Sequence, residues 1–323
     1  MTHVTLKAGG TWEGLYKVFN IASATFTDTV TKFIRLLSPK LYADQVQAQA
    51  DRTQMRTAMT SGHAFSNFPC ALYAVDVTFQ QSFCPGGPIQ ENGKYYSGKH
   101  HLYGLKVEVS VNTHGFAINC SDHAKGATHD VSMFKDNKPF HLGRMIKLPG
   151  DESLQDNGPI SDKYPDQWAI LADKGYQGMA NYLRCIHPKK GKNLTRAELV
   201  NNDKISSDRV LVENYFGRLN MLWRVTADKF RWSEALYDDV FRLCVALTNY
   251  NISINPLRDQ NGDWYRQSQH NLIQLGPAIK EKRRLQQAKY RAKKKRRLET
   301  SIEDLGGEDD ANEDSLIQYS QEF

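Results

Sequence analysis

Apolar residues along the chain change their spacing several times, and each change predicts an element. Trp12, Leu15, Tyr16 and Phe19 fall at helical spacing. Asn20-Ile21-Ala22-Ser23 interrupts them, with Ser23 a candidate N-cap. Phe26, Val30, Phe33, Ile34 and Leu37 resume the helical pattern until Pro39. Two short amphipathic helices joined this way read as a helix-turn-helix or as an αα-hairpin packed on a larger domain. The second helix offers Lys32 and Arg35 as its basic residues. Residues 1–10 read as loose, and 40–68 as a polar, largely helical linker.

From residue 71 the period drops to two. Tyr73, Val75, Val77 and Phe79 share one face of a strand, and Leu72, Ala74, Asp76 and Thr78 the other, so Asp76 points away from the apolar side. Pro85, Gly86, Gly87, Pro88, Gly93 and Gly98 make 84–98 a long loop. Tyr103, Leu105, Val107, Val109 and Val111 then alternate with polar residues, and the chain turns at Asn112-Thr113-His114-Gly115 and returns over 116–120, as in an antiparallel meander. A helix starts within 128–135, and 136–167 reads as irregular. Trp168-Ala169-Ile170-Leu171-Ala172 is a short apolar run ending in Asp173 and broken by Gly175, which predicts a strand buried on both faces. A short fifth strand fits 184–188. Ser206 or Ser207 is a candidate cap for a helix buried through Val212, Tyr215, Phe216, Leu219, Leu222 and Trp223. Glu213 sits at the edge of that stripe, with Arg209 one turn earlier on the same side. Another apolar helix runs over about 237–250.

Charge sharpens this picture. The net charge of +6 conceals a basic segment, 280–298, with eleven Lys/Arg and one Glu, followed by an acidic tail, 299–323, with nine acids and no base. A basic body carrying such a segment points to a polyanionic partner, and the acidic tail reads as disordered. Lys293-Lys294-Lys295-Arg296-Arg297 reads as a nuclear-localisation or nucleic-acid patch, or as an exposed charged helix. No apolar run approaches the roughly 18 residues that span a bilayer, so no membrane role is expected. The five cysteines, Cys70, Cys84, Cys120, Cys185 and Cys244, form no C-x-x-C pair, which excludes a zinc ribbon or disulfide framework and fits a reducing compartment, cytosol or nucleus. Residues 87–94 fail as a phosphate loop, because five residues separate Gly87 from Gly93 and Tyr95 follows Lys94.

The candidate chemistry lies in three carboxylates. Asp173, at the end of a buried strand, is costly unless a positive charge sits beside it; it reads as a metal ligand, or as a helix N-cap or surface aspartate. Asp76 on the first strand and Glu213 on a later helix are potential partners. Three acids on rigid elements suit phosphoryl transfer with Mg²⁺ or Mn²⁺, where two ions about 3.5–4 Å apart activate water and stabilise the leaving oxygen.

Five segments, in order, carry a family resemblance: Ala74-Val75-Asp76; Tyr95-Tyr96-Ser97-Gly98-Lys99-His100-His101; Gly126-Ala127-Thr128-His129-Asp130; Leu171-Ala172-Asp173-Lys174-Gly175-Tyr176; and the run from Arg209 through Glu213-Asn214-Tyr215-Phe216-Gly217-Arg218-Leu219. Together they resemble the DDE transposase/endonuclease superfamily, most of all its Harbinger-type group and related insertion-sequence transposases. The resemblance implies an α/β, ribonuclease H-like mixed sheet flanked by helices. The chain would then comprise an N-terminal helical, helix-turn-helix-like region (1–68), the nuclease domain (69–255) and a charged tail (256–323). It also implies Asp76, Asp173 and Glu213 as catalytic ligands of two divalent ions, with Asp76 bridging. Lys99, His100, Arg209 and Arg218 would contact DNA, although Lys99-His100-His101 also reads as a solvated strand end. The His129-Asp130 pair matches a family His-Asp and reads equally as an N-cap. The implied activity is DNA phosphodiester cleavage that leaves a 3′ hydroxyl able to attack target DNA, in the nucleus. Copies of the chain would assemble on DNA, and a separate Myb-like protein is an implied partner. Two positions depart from insertion-sequence relatives: Ser206 stands where a tyrosine is common, and Asn220 where a lysine is. The missing lysine, together with an N-terminal region that is thin as a DNA-binding part, keeps open a domesticated form that binds DNA or protein without cutting.

Overall fold

The computed structural model describes residues 1–191, 193–257, 281 and 284–293. The chain divides into two units, 1–258 and 259–323. In the second, residues 284–293 are helical, as the expected basic helix requires; the acidic tail and Lys294 to Arg297 lie outside the described residues. No described helix is long and apolar enough to cross a membrane.

The first unit begins with three helices, α1 (Thr2–Ala8), α2 (Trp12–Phe19) and α3 (Ser23–Tyr42). The stretch expected to be loose therefore opens with a helix. It is held by tertiary contact, with Leu6 buried in the main core. Thr11 caps α2 by accepting from Gly14 N at 3.2 Å. Ser23 is the first residue of α3 rather than its cap, and Pro39 does not stop that helix. Beyond Tyr42 the chain widens into a π turn over 43–47 before α4 (Ala48–Arg52) and α5 (Met55–Thr60). The Gln45 carbonyl inside that turn accepts Asn249 Nδ2 at 2.7 Å.

Seven strands follow: β1 (Ala71–Gln81), β2 (Tyr96–Ser97), β3 (Leu102–Asn112), β4 (Ala117–Cys120), β5 (Ala124–Lys125), β6 (Ala169–Leu171) and β7 (Cys185–Ile186). A short helix, α6 (Ile89–Asn92), lies in the expected long loop. Between β5 and β6 come α7 (Asp130–Asp136) and α8 (Lys138–Met145), the latter in a stretch expected to be irregular. The chain closes the unit with α9 (Arg196–Leu222), α10 (Arg224–Ala227) and α11 (Tyr237–Ile254). The sheet order is β2-β3-β1-β6-β7, with β4 and β5 also pairing with β3. β1 and β3 are antiparallel, whereas β6 is parallel to β1 and β7 parallel to β6. This mixed sheet with helices on both faces is consistent with the ribonuclease H-like expectation.

Alternation along the strands builds two cores. Ala74, Val107, Val109, Ala169 and Leu171 face one cluster with α3, α9 and α11, while Tyr73, Val75, Ile170 and Ala172 face another with Phe134 and Met145. Asp76 is thus on the α9 side. The polar face of β3 is not a solvent face, since Lys106, Glu108 and Ser110 are all buried. The N-terminal helices share the first core: Phe26, Val30 and Ile34 are fully buried in it, while Phe33 and Leu36 are exposed. Lys32 and Arg35 are exposed on the outer side.

Because Phe26 packs in the same core as the sheet, Phe26→Ala should destabilise the whole unit by about 3–5 kcal/mol in urea unfolding. A main transition that stays at its wild-type midpoint would mean that the N-terminal helices fold independently.

Candidate active site

Strand register brings the two aspartates together. Ala74 pairs with Leu171 in the parallel β1–β6 ladder. Asp76 and Asp173 each follow two residues later, so with a side-chain period of two both emerge at the same level on the same face. That face is covered by α9. The helix starts well before the expected Ser206 or Ser207, at a capping box in which Glu198 N donates to Thr195 Oγ1 and Thr195 N to Glu198 Oε2. Thr195-Arg196-Ala197-Glu198 is that signal in the sequence; the exposed, polar first turns of the helix concealed it.

Two consecutive α9 residues clamp the helix to β1. Asp208 accepts from the backbone N–H groups of Asn67 (2.9 Å) and Phe68 (3.0 Å), just before the strand. Arg209 is buried and reaches both aspartates, with Nη2 donating to Asp76 Oδ2 at 2.9 Å and Nη1 to Asp173 Oδ1 at 3.2 Å. Its Nε has no partner among the described residues. Asp76 Oδ1 accepts from Val77 N at 2.8 Å. Asp173 occupies the N-cap position of a 3₁₀ turn over 174–176, but its side chain makes no capping bond. Its carboxylate turns to Arg209 instead.

Glu213 lies one turn beyond Arg209, is exposed, and makes no hydrogen bond or ion pair among the described residues. Burial pushes the Asp76 carboxyl up to about 6; Arg209 and the Val77 N–H oppose this, and the negative charges of Asp173 and Glu213 add to it. Asp173 and Glu213 thus both bear on Asp76, but only Asp76 and Asp173 converge on a common group. Among the described residues no three His, Cys, Asp or Glu side chains are close enough together to hold a metal ion. The hard oxygens of the two aspartates suit Mg²⁺ or Mn²⁺ in kind, and the guanidinium of Arg209 meets both of them.

The remaining expected residues are spread around this centre. Lys99 and His100 lie in the turn between β2 and β3, where His100 stacks on Phe79 at 4.4 Å. Partial burial and then the charges of Lys99 and Lys106 hold His100 below the usual imidazole range. His129 occupies the N-cap position of α7 without a side-chain capping bond. Asp130 accepts from Lys106 Nζ at 3.0 Å and packs against Gly175, where a Cβ would lie 3.3 Å from Asp130 Oδ2. Arg218 is engaged elsewhere, donating to Asn251 Oδ1 at 2.8 Å and Asn255 O at 3.0 Å at the end of α11. Asn220, in the position of the missing lysine, accepts from Thr226 Oγ1 at 3.2 Å.

Beneath the carboxylates lies a polar network that strand alternation alone does not reveal. Glu108 and His141 are fully buried. Glu108 Oε1 accepts from Asn137 Nδ2 (2.8 Å) and His141 Nε2 (3.0 Å), and its Oε2 from Tyr176 OH (3.2 Å). His141 Nδ1 lies 2.9 Å from Tyr73 OH. Tyr73 precedes Asp76 on β1 and Tyr176 follows Asp173, so the network ties both carboxylate-bearing segments to β3 and α8.

The Asp76 shift fixes a pH dependence. Its carboxyl titrates near 6 when folded against an ordinary value of 3.8, so the folded state binds the proton more tightly. Ionisation of Asp76 should therefore cost stability as pH rises from 4 through 6, by roughly 3 kcal/mol in full. Urea unfolding in chelator at pH 4.5 and 7 should show Asp76→Asn gaining on the wild type at the higher pH; parallel behaviour of the two proteins would refute the shift.

The family described as DDE superfamily endonuclease matches residues 82–249, a span that contains Asp173, Arg209 and Glu213 and begins after Asp76. A protein of Microchaete diplosiphon named "Probable transposase for insertion sequence element IS702" is 23% identical over 171 residues, 52% of this chain and 53% of that protein. The chain thus spans about half the length of that curated relative. No solved structure matches. The family match extends over more than half of the chain and takes in the β6 aspartate and its α9 partners: the chain belongs to the DDE superfamily of endonucleases.

Proposed function

We propose that the chain is a metal-dependent DNA endonuclease of the transposase type, with Asp76, Asp173 and Glu213 as its metal ligands. The observation that carries this reading is the convergence of Asp76 and Asp173, from two parallel strands, on one cationic group at 2.9 and 3.2 Å. Mg²⁺ or Mn²⁺, when bound, supplies the Lewis acidity for attack of water on a phosphodiester, which yields a 3′ hydroxyl and a 5′ phosphate. Asp76 and Asp173 would hold the ions from the sheet, and Glu213 from the exposed face of α9. Arg209 keeps the two aspartates together when no metal is bound. Its guanidinium would be suited to neutralise a scissile phosphate bound at the carboxylates. Within the same proposal the 3′ hydroxyl attacks target DNA, copies of the chain assemble on the DNA, and a Myb-like partner supplies sequence recognition in the nucleus. The Harbinger-type assignment is part of this proposal.

The second reading, a domesticated factor that binds without cutting, is favoured by the exposed, unpartnered Glu213 and by Asn220. The two separate on plasmid nicking. With Mg²⁺ or Mn²⁺ the wild type should nick supercoiled DNA. Asp173→Ala and Glu213→Gln should each reduce the rate by more than the roughly 10–100-fold that loss of an outer-shell partner costs. Undiminished nicking by both variants rejects the site; DNA binding with no nicking by the wild type selects the second reading.

A readout without catalysis tests the role of Arg209. Arg209→Gln leaves two neighbouring carboxylates uncompensated, so in chelator it should be less stable by about 3 kcal/mol. Added Mn²⁺ should then raise its melting temperature more than that of the wild type. An equal Mn²⁺ shift in both proteins means that the guanidinium and the metal do not share these carboxylates.

A further inference from the structure

Phe83, just beyond β1, is 51% exposed. Its ring is flanked by cations: Lys229 Nζ lies 3.8 Å from the ring centroid and the Arg231 guanidinium carbon 5.4 Å. The backbone holds these segments together, since Phe230 N donates to Gln81 O at 2.7 Å and Ser82 bridges to Phe230. Trp232 anchors the far side by stacking on Trp12 at 4.3 Å and donating to Gly10 O at 2.9 Å. The cations are therefore presented by fixed backbone. Neither Lys229 nor Arg231 forms an ion pair among the described residues, because the nearby acids are occupied. Asp228 pairs with Arg224 at 3.3 Å, and Glu234 with His123 at 3.2 Å. Ser82 N also donates to Tyr103 O at 2.8 Å, and Tyr103 packs edge-on, at 5.3 Å, against Tyr96, itself 39% exposed. Tyr96 opens the turn that carries Lys99, His100 and His101.

An exposed ring beside cations that lack acidic partners matches two features of an unpaired nucleotide. Lys229 lies over the ring, so the base would stack on the face turned away from it, and the cations would take the adjacent phosphates. An acidic peptide would use the cations and leave the ring without a role. We propose that Phe83, Lys229 and Arg231 form a stacking platform for an unpaired DNA base, an inference that rests on the reading of the chain as a DNA-acting enzyme. At about 3.3 Å per extended residue, Phe83 stands roughly 23 Å from Asp76 along the chain of β1 and its continuation, close to seven nucleotide steps of about 3.4 Å. The platform would thus seat a base well outside the cleavage position and set the register of the strand against the carboxylates.

The test uses the full chain in chelator, so that no cutting intervenes, and a twelve-nucleotide single-stranded oligothymidine with one central 2-aminopurine. The wild type should bind it with a change in 2-aminopurine fluorescence. Phe83→Ala should weaken binding about tenfold and abolish that change, while Phe83→Trp retains both. The Lys229→Ala/Arg231→Ala double variant should lower the slope of log K against log salt by roughly 1.4, as expected for two lost phosphate contacts. If the wild type binds and nicks DNA but Phe83→Ala binds the oligonucleotide unchanged, the platform is wrong and the endonuclease reading stands. Equal weakening on a blunt duplex without unpaired bases also overturns the platform. If the wild type binds no DNA, platform and endonuclease reading fall together. Circular dichroism of Phe83→Ala, altered at an exposed position, checks that the fold is intact.

Discussion

Two carboxylates, one within β1 and one just beyond the end of its parallel neighbour β6, repel one another, and the arrangement around them follows from answering that repulsion. The β1–β6 register leaves no freedom in where Asp76 and Asp173 emerge. Like charges so placed and partly desolvated need a cation. Arg209 supplies one, and its planar fork reaches both carboxylates at once. To do so it must be buried, and α9 must lie flat on the sheet. Asp208, the neighbouring residue, fixes that helix by taking the N–H groups of Asn67 and Phe68. The centre is thus already balanced by a protein cation before any substrate arrives.

Much of this was legible in the sequence, for physical reasons that differ by element. The period-two pattern around Asp76 and the bounded apolar run before Asp173 mark strands, because a carboxylate at either place conflicts with its surroundings unless a site explains it. The sequence order of the matched segments placed the third acid on a helix. The N-terminal half of α9 was hidden because its first turns are exposed and show no apolar stripe; only the capping box marks it. α8 was hidden by Asn137, Pro139 and Gly143, residues that usually signal loops but here include a proline in the first helical turn, where no N–H is needed. Pro39 misled in the opposite sense, since the helix passes through it into a π turn whose freed carbonyl meets Asn249.

The buried network was not legible at all. Alternation shows that Lys106 and Glu108 lie on the polar side of β3, but not whether water or protein covers that side. In the fold, α7, α8 and the turn after Asp173 cover it, and Lys106 and Glu108 each find specific partners. Glu108 collects three donors from two separate segments, so its position reports whether α8 and the Asp173 turn are both seated. Arg218 shows the converse. A basic residue in a matched motif is here used within the protein, joining α9 to the end of α11.

The clamp at Asp208 and Arg209 also sets rules for how this chain can change length. An α-helix turns about 100° per residue, so one residue inserted between Arg209 and Glu213 would swing Glu213 away from the carboxylates. An insertion within the first, exposed turns of α9, or in the loop before Thr195, would pass harmlessly into solvent. The turn of residues 84–88, before α6, has similar freedom, because its length does not alter the register of β1 against β6. Lineages of this fold should therefore accumulate insertions and deletions in those two stretches and keep the four-residue step from Arg209 to Glu213 intact, even where the identity of neighbouring side chains drifts.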